Sequence, residues 1–99
     1  MIYQIKKNYP NGKIVCGTLM RTFIPTNDSW VFPEYFGDVS FEDYNDAIRE
    51  ASRRQKCCLA DTDALNMRYE TLDGSHPTVA GHRTLADAWR RCLVSIGLV

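Results

Sequence analysis

Asp73 and His76, three residues apart in Leu72-Asp73-Gly74-Ser75-His76-Pro77, are the residues best suited by type and spacing to do chemistry. A carboxylate beside a histidine fixes the imidazole tautomer and stabilises the cation formed when the ring accepts a proton. A tight turn can bring the two together, with Gly74 relaxing the backbone and Pro77 limiting the exit. The plainer reading of the same residues is an Asx-type turn or helix cap at Asp73 and a surface His76 without a function.

Other reactive side chains give weaker patterns. His82, after Gly81, lies six residues beyond His76 and suits support of the Asp73–Pro77 loop better than ligation. Asp61 and Asp63 could join His76 around a hard cation, but their spacing is common in loops and lacks a calcium-loop continuation, so no metal or cofactor is expected. Ser29, Ser40, Ser52, Ser75 and Ser95 include no evident nucleophile. Ser75 adjoins His76, yet adjacency supplies no attack trajectory. Cys16, Cys57, Cys58 and Cys92 contain no Cys-x-x-Cys pair and are read as reduced core thiols.

The elements that must position the loop follow from hydrophobic period and punctuation. Met1 to Tyr9 reads as the last turns of a helix closed by Pro10, Asn11 and Gly12; no cap precedes it, so its natural start is expected upstream. Lys13 to Leu19 reads as a strand covered on both faces. Met20 to Gly37 reads as a long loop carrying Trp30, Phe32, Tyr35 and Phe36, which either cover a small core or form a substrate wall or subunit contact. Ser40 to Gln55 is a helix capped by Ser40, with Phe41, Tyr44, Ile48 and Ala51 on its apolar side; the Arg53, Arg54 and Lys56 charges complement its dipole. Lys56 to Ala60 supplies a second strand, parallel to the first through a right-handed crossover. A helical turn is expected at Ala64 to Arg68. A last helix begins at Thr78, buries Leu85, Trp89, Cys92 or Leu93, and Ile96, and ends near Gly97. Two parallel strands form a small sheet, so the first presents an open edge that needs a cover.

Composition bounds the rest. Ninety-nine residues fit a single compact domain with a thin core. Twelve basic residues balance twelve acidic ones, which gives no global field for nucleic acid. No apolar stretch approaches the roughly 20 residues of a membrane span, and the first residues lack the apolar core of an export signal, which favours the cytoplasm.

Asp73-Gly74-Ser75-His76-Pro77, followed by Gly81-His82 and Leu85-Ala86, resembles the closing motif of the SGNH, or GDSL-like lipase and acylhydrolase, family. Tyr9-Pro10 before Lys13-Ile14-Val15, the Tyr44-Asn45 helix and a strand leading into Asp61 extend the resemblance over nearly the whole chain; the middle loop matches poorly. The resemblance implies an α/β architecture, the C-terminal half of a flavodoxin-like three-layer hydrolase domain. It makes His76 the general base and acid and Asp73 its orienting partner; Pro77, Gly81 and His82 are read as supporting residues from their places around the loop. It implies a small-molecule ester as substrate of the complete enzyme. The family's serine, glycine and asparagine motifs have no counterpart here, so the chain alone is expected to be inactive. The alternative is a noncatalytic interaction module derived from such a fold, dimerising through the open edge or the Trp30–Phe36 aromatics.

Overall fold

Ser40 starts the central helix as its sequence requires: the Ser40 hydroxyl accepts the Asp43 amide at 3.0 Å, and Glu42 and Asp43 occupy the positive first turn. The computed structural model, which describes all residues from Met1 to Val99, runs α1 (Ile2–Asn8), β1 (Val15–Gly17), β2 (Arg21–Phe23), β3 (Tyr35–Phe36), β4 (Val39–Ser40), α2 (Phe41–Arg54), β5 (Cys58–Ala60), a 3-10 turn (Thr62–Leu65), β6 (Arg68–Glu70) and α3 (Val79–Ser95).

The sheet is built from two short parallel pairs in series. Val15, Cys16 and Gly17 pair with Cys58, Leu59 and Ala60, and Arg21, Thr22 and Phe23 pair with Arg68, Tyr69 and Glu70. Two chain segments thus run side by side, part, and meet again. Side chains of a strand alternate between faces, and the two helices use that alternation. The Cys16 thiol meets Ser52 of α2, whereas Gly17 backs onto Trp89 of α3, so the helices cover opposite faces of the β1–β5 pair.

The structure corrects several expectations. Met20 to Gly37 is not one loop: it holds β2 and β3, and β3 forms an antiparallel hairpin with β4. The expected turn at Ala64 to Arg68 is shifted to Thr62–Leu65, and Arg68 begins a strand. β1 is only half-covered, and Leu19 beyond it is exposed. On α2 the buried side carries Phe41, Asn45 and Ser52, while Tyr44 is 46% exposed and Ala51 is also exposed. Asn45 is fully buried because its amide accepts the Leu19 N–H at 2.7 Å and donates to the Leu19 carbonyl at 3.0 Å, standing in for a strand partner where β1 ends. On α3 the small residues Gly81, Ala88 and Cys92 go deepest, and Ile96 is 38% exposed. Cys92 is the one buried thiol; Cys16, Cys57 and Cys58 are partly exposed.

Both long helices end in the same motif with different residues. After α3, Gly97 at φ +79° donates to Val94 O while Leu98 donates to Leu93 O. After α2, Lys56 at φ +54° donates to Arg53 O while Cys57 donates to Ser52 O. Such a paired cap calls for the left-handed region, where a Cβ is penalised by about 1 kcal/mol. Lys56→Gly is therefore expected to stabilise the fold by about 0.5–1 kcal/mol, read as a higher midpoint in urea with unchanged slope. An unchanged or lower midpoint would show that the lysine side chain contributes more than the strain costs.

The fold is thinly filled. Thirteen of 99 residues are buried, six of them counted as apolar core. Its radius of gyration is 15.0 Å, against about 13 Å for a compact domain of this length. Its accessible surface of 6998 Å² exceeds the roughly 5,700 Å² expected for its mass by about 1,300 Å². The chain leaves uncovered about as much surface as one side of a substantial interface.

Candidate functional site

The loop that follows β6 is held by two buried threonines. Thr71, beyond the last residue of β6, donates both its amide (2.9 Å) and its hydroxyl (2.8 Å) to Phe23 O, and the same hydroxyl accepts the Gly74 amide at 2.9 Å. Thr22 donates its hydroxyl to Gly74 O at 2.7 Å. The loop then closes on itself, with Leu72 N donating to His76 O at 2.9 Å and Thr71 bridging to Pro77. Gly74 takes φ +99°, and a Cβ there would lie 2.7 Å from the Trp30 ring. A glycine is required twice over, by backbone conformation and by the indole packed on it.

Within this frame Asp73 works in two directions. Its Oδ1 accepts the His76 amide at 2.8 Å and the Ser75 amide at 3.0 Å, an Asx turn that shapes the loop. Its Oδ2 lies 2.7 Å from His76 Nδ1. Both sequence readings of Asp73, turn former and imidazole partner, hold at once. The His76 and Ser75 amides, followed by the His76 side chain, hold the Asp73 carboxyl far below the usual carboxylate range. An ionised carboxylate has no proton to give, so Nδ1 carries the hydrogen and Nε2 is the nitrogen left to accept a proton. The pair is open to solvent, with His76 77% and Asp73 54% exposed.

Ser75 does not complete a triad. Its hydroxyl lies 3.3 Å from Asp73 Oδ1 and 3.4 Å from His76 Nδ1, on the nitrogen that already faces the carboxylate. A nucleophile must meet the other nitrogen.

The supporting residues divide. Gly81 is indispensable by shape: a Cβ there would lie 2.0 Å from Glu70 O and 3.1 Å from Pro77 Cβ, so α3 starts in backbone contact with β6 and the loop's exit. Thr78 caps α3, accepting the Gly81 amide at 3.1 Å, and its own amide donates to Glu70 O at 3.1 Å. Pro77 is partly covered at this junction, while His82 is exposed and is tied to the loop through its backbone amide, which donates to Thr78 O. Asp61 and Asp63 stand away from the pair: Arg49 reaches both, at 3.0 and 3.1 Å. Arg49 and a hydrogen bond from Thr18 lower the Asp61 pKa against the opposing effect of burial.

Of the four aromatics, Phe32 is buried and makes edge contacts with Trp30, Phe36 and Phe41, whereas Tyr35 is exposed. Leu19, Met20, Phe32, Phe36, Phe41 and Tyr69 line an open apolar cleft of about 180 Å³ that ends on Gly74 and Ser75. Thr22, Thr71 and Thr78, which hold the working loop, were not singled out for that task in the sequence. A threonine directly after a short strand is the signal that could have found Thr71, and a threonine at the start of the last helix the one for Thr78.

No family model, curated protein or solved structure matches the chain. No helix is long and apolar enough to cross a membrane.

Proposed function

We propose that this chain is the C-terminal part of a serine-dependent carboxylic-ester hydrolase of the SGNH, or GDSL-like, type, and that it supplies the Asp73–His76 pair. The observation that carries the reading is the 2.7 Å contact between Asp73 Oδ2 and His76 Nδ1 on a loop just past the carboxyl end of a parallel strand. That end of an open α/β sheet is where ligands bind. The apolar cleft against Gly74 and Ser75 supports an acyl or alcohol group beside the pair.

In the complete enzyme His76 Nε2 removes the proton of a serine hydroxyl as its oxygen attacks the ester carbonyl. Preorganised donors stabilise the oxyanion, and the alcohol leaves with the proton from His76. Water, deprotonated by the same nitrogen, then attacks the acyl-serine, and collapse releases the acid and restores the serine. Asp73 keeps the ring in the Nδ1–H form throughout and stabilises its cation.

Expressing the reading frame extended upstream of Met1 tests this. The extended protein should carry Gly-Asp-Ser and Gly-x-Asn-Asp motifs, take up a fluorophosphonate probe at that serine and hydrolyse p-nitrophenyl esters, whereas the 99-residue chain should do neither. Robust turnover by the 99-residue chain that vanishes in Ser75→Ala would sink the proposal, as would an extended frame without a labelled serine.

A further inference from the structure

We infer that the solvent-facing side of α2 is a self-complementary docking surface for a second copy of this chain, with the two helices antiparallel about a twofold axis near Ile48. The inference stands apart from the hydrolase reading. Val39, Tyr44, Ala47, Ile48 and Ala51 line an open apolar groove of about 300 Å³, and Tyr44, Ala47 and Ala51 are exposed. The spacing sets Tyr44, Ile48 and Ala51 on one apolar side with Phe41, yet Phe41, Asn45 and Ser52 take the inward side and leave Tyr44 and Ala51 turned outward.

Charge identifies the occupant. Asp43 borders the groove at the start of the helix, and Arg54 lies eleven residues on, roughly three full turns, hence on the same flank. Asp43 forms no ion pair within the chain, and Arg54 is 72% exposed, using only its Nε on Glu50. An antiparallel copy brings each Asp43 to the other copy's Arg54. A parallel copy would set like charges together. A twofold contact is isologous, so the Asp43–Arg54 pair forms twice, once at each end of the helix pair. Ala47 and Ala51 at the centre allow close approach of the helix backbones, with Tyr44 and Ile48 filling the sides.

Area agrees. The chain exposes about 1,300 Å² more than its mass predicts, whereas a stable dimer needs about 800 Å² from each partner.

Sedimentation equilibrium of the 99-residue protein at several concentrations tests the inference, with circular dichroism confirming the fold of each variant. The wild type should form a dimer that weakens with added salt. Ala51→Glu should leave a folded monomer. Asp43→Arg and Arg54→Asp should each weaken association at least about tenfold, and the two together should restore it to within about threefold, since the ion pairs are re-formed with reversed sign. A monomer at millimolar concentration, as expected if a neighbouring helix of a larger domain covers the stripe, overturns the inference. So does a dimer indifferent to Ala51→Glu, or a double variant no better than the single ones.

Discussion

Gly81→Ala is expected to cost about 3 kcal/mol or more and to lower the melting temperature by at least about 10 °C. The added methyl would sit 2.0 Å from Glu70 O and 3.1 Å from the Glu70 carbonyl carbon. Those are backbone atoms of β6, which pairs with β2 and cannot swing aside as a flexible side chain can. Relief requires α3 to move away from the sheet, opening the contacts of Ala88 and Cys92 along the same helix. Stability for a domain this size is of order 5–15 kcal/mol, and the thin core places this one toward the low end. The loss is therefore a large share of the total. Thermal unfolding followed by circular dichroism reads it, with Gly12→Ala as a mild comparison, since its Cβ would approach nothing closer than 3.3 Å. A Gly81→Ala protein that melts with the wild type would mean that α3 does not rest on β6 as described.

Asp73→Asn is expected to reverse the His76 tautomer in the 99-residue chain and to reduce kcat/KM of the proposed complete enzyme by about 10³–10⁴. The substitution is nearly isosteric, so the side-chain oxygen can still accept the Ser75 and His76 amides and keep the turn. What it loses is a charged acceptor at Oδ2. With an amide NH₂ there instead, Nδ1 must accept and Nε2 takes the hydrogen, which is the wrong form for a base. Nitrogen-15 chemical shifts of the imidazole distinguish the two forms without any substrate. The same carboxylate gives the loop an acid limit with a definite sign. A carboxyl whose folded pKa is depressed contributes stability that is complete above its unfolded value, near pH 4, and is lost as pH falls through the lower folded value. Loop order should thus persist through pH 4 and fail only in stronger acid. Unchanged imidazole shifts in Asp73→Asn would remove Asp73 from its orienting role.

The sequence made α2 and α3 legible because their caps are local: Ser40 and Thr78 each bond an amide three residues on. The Asp73–His76 contact was legible for the same reason, since three residues and a glycine enforce it. β2 and β6 were not legible as a pair. Each is three residues long, too short for a period, and each exists through the other some 47 positions away. The inward side of α2 departs from its apolar spacing because a buried asparagine satisfying the Leu19 backbone takes it, while Tyr44 stays 46% exposed at the edge with only Phe36 against its ring. Hydrophobic pattern cannot anticipate a polar side chain that substitutes for a strand.

The two tryptophans sit on glycines in different parts of the fold, Trp30 over Gly74 and Trp89 over Gly17. They are the only indoles in the chain, and they give it two built-in optical gauges. Emission from Trp89 follows the seating of α3 on the sheet, whereas emission from Trp30 follows the loop carrying Asp73 and His76. With Trp89→Phe as background, a spectral change on adding an ester analogue would register movement at the loop alone.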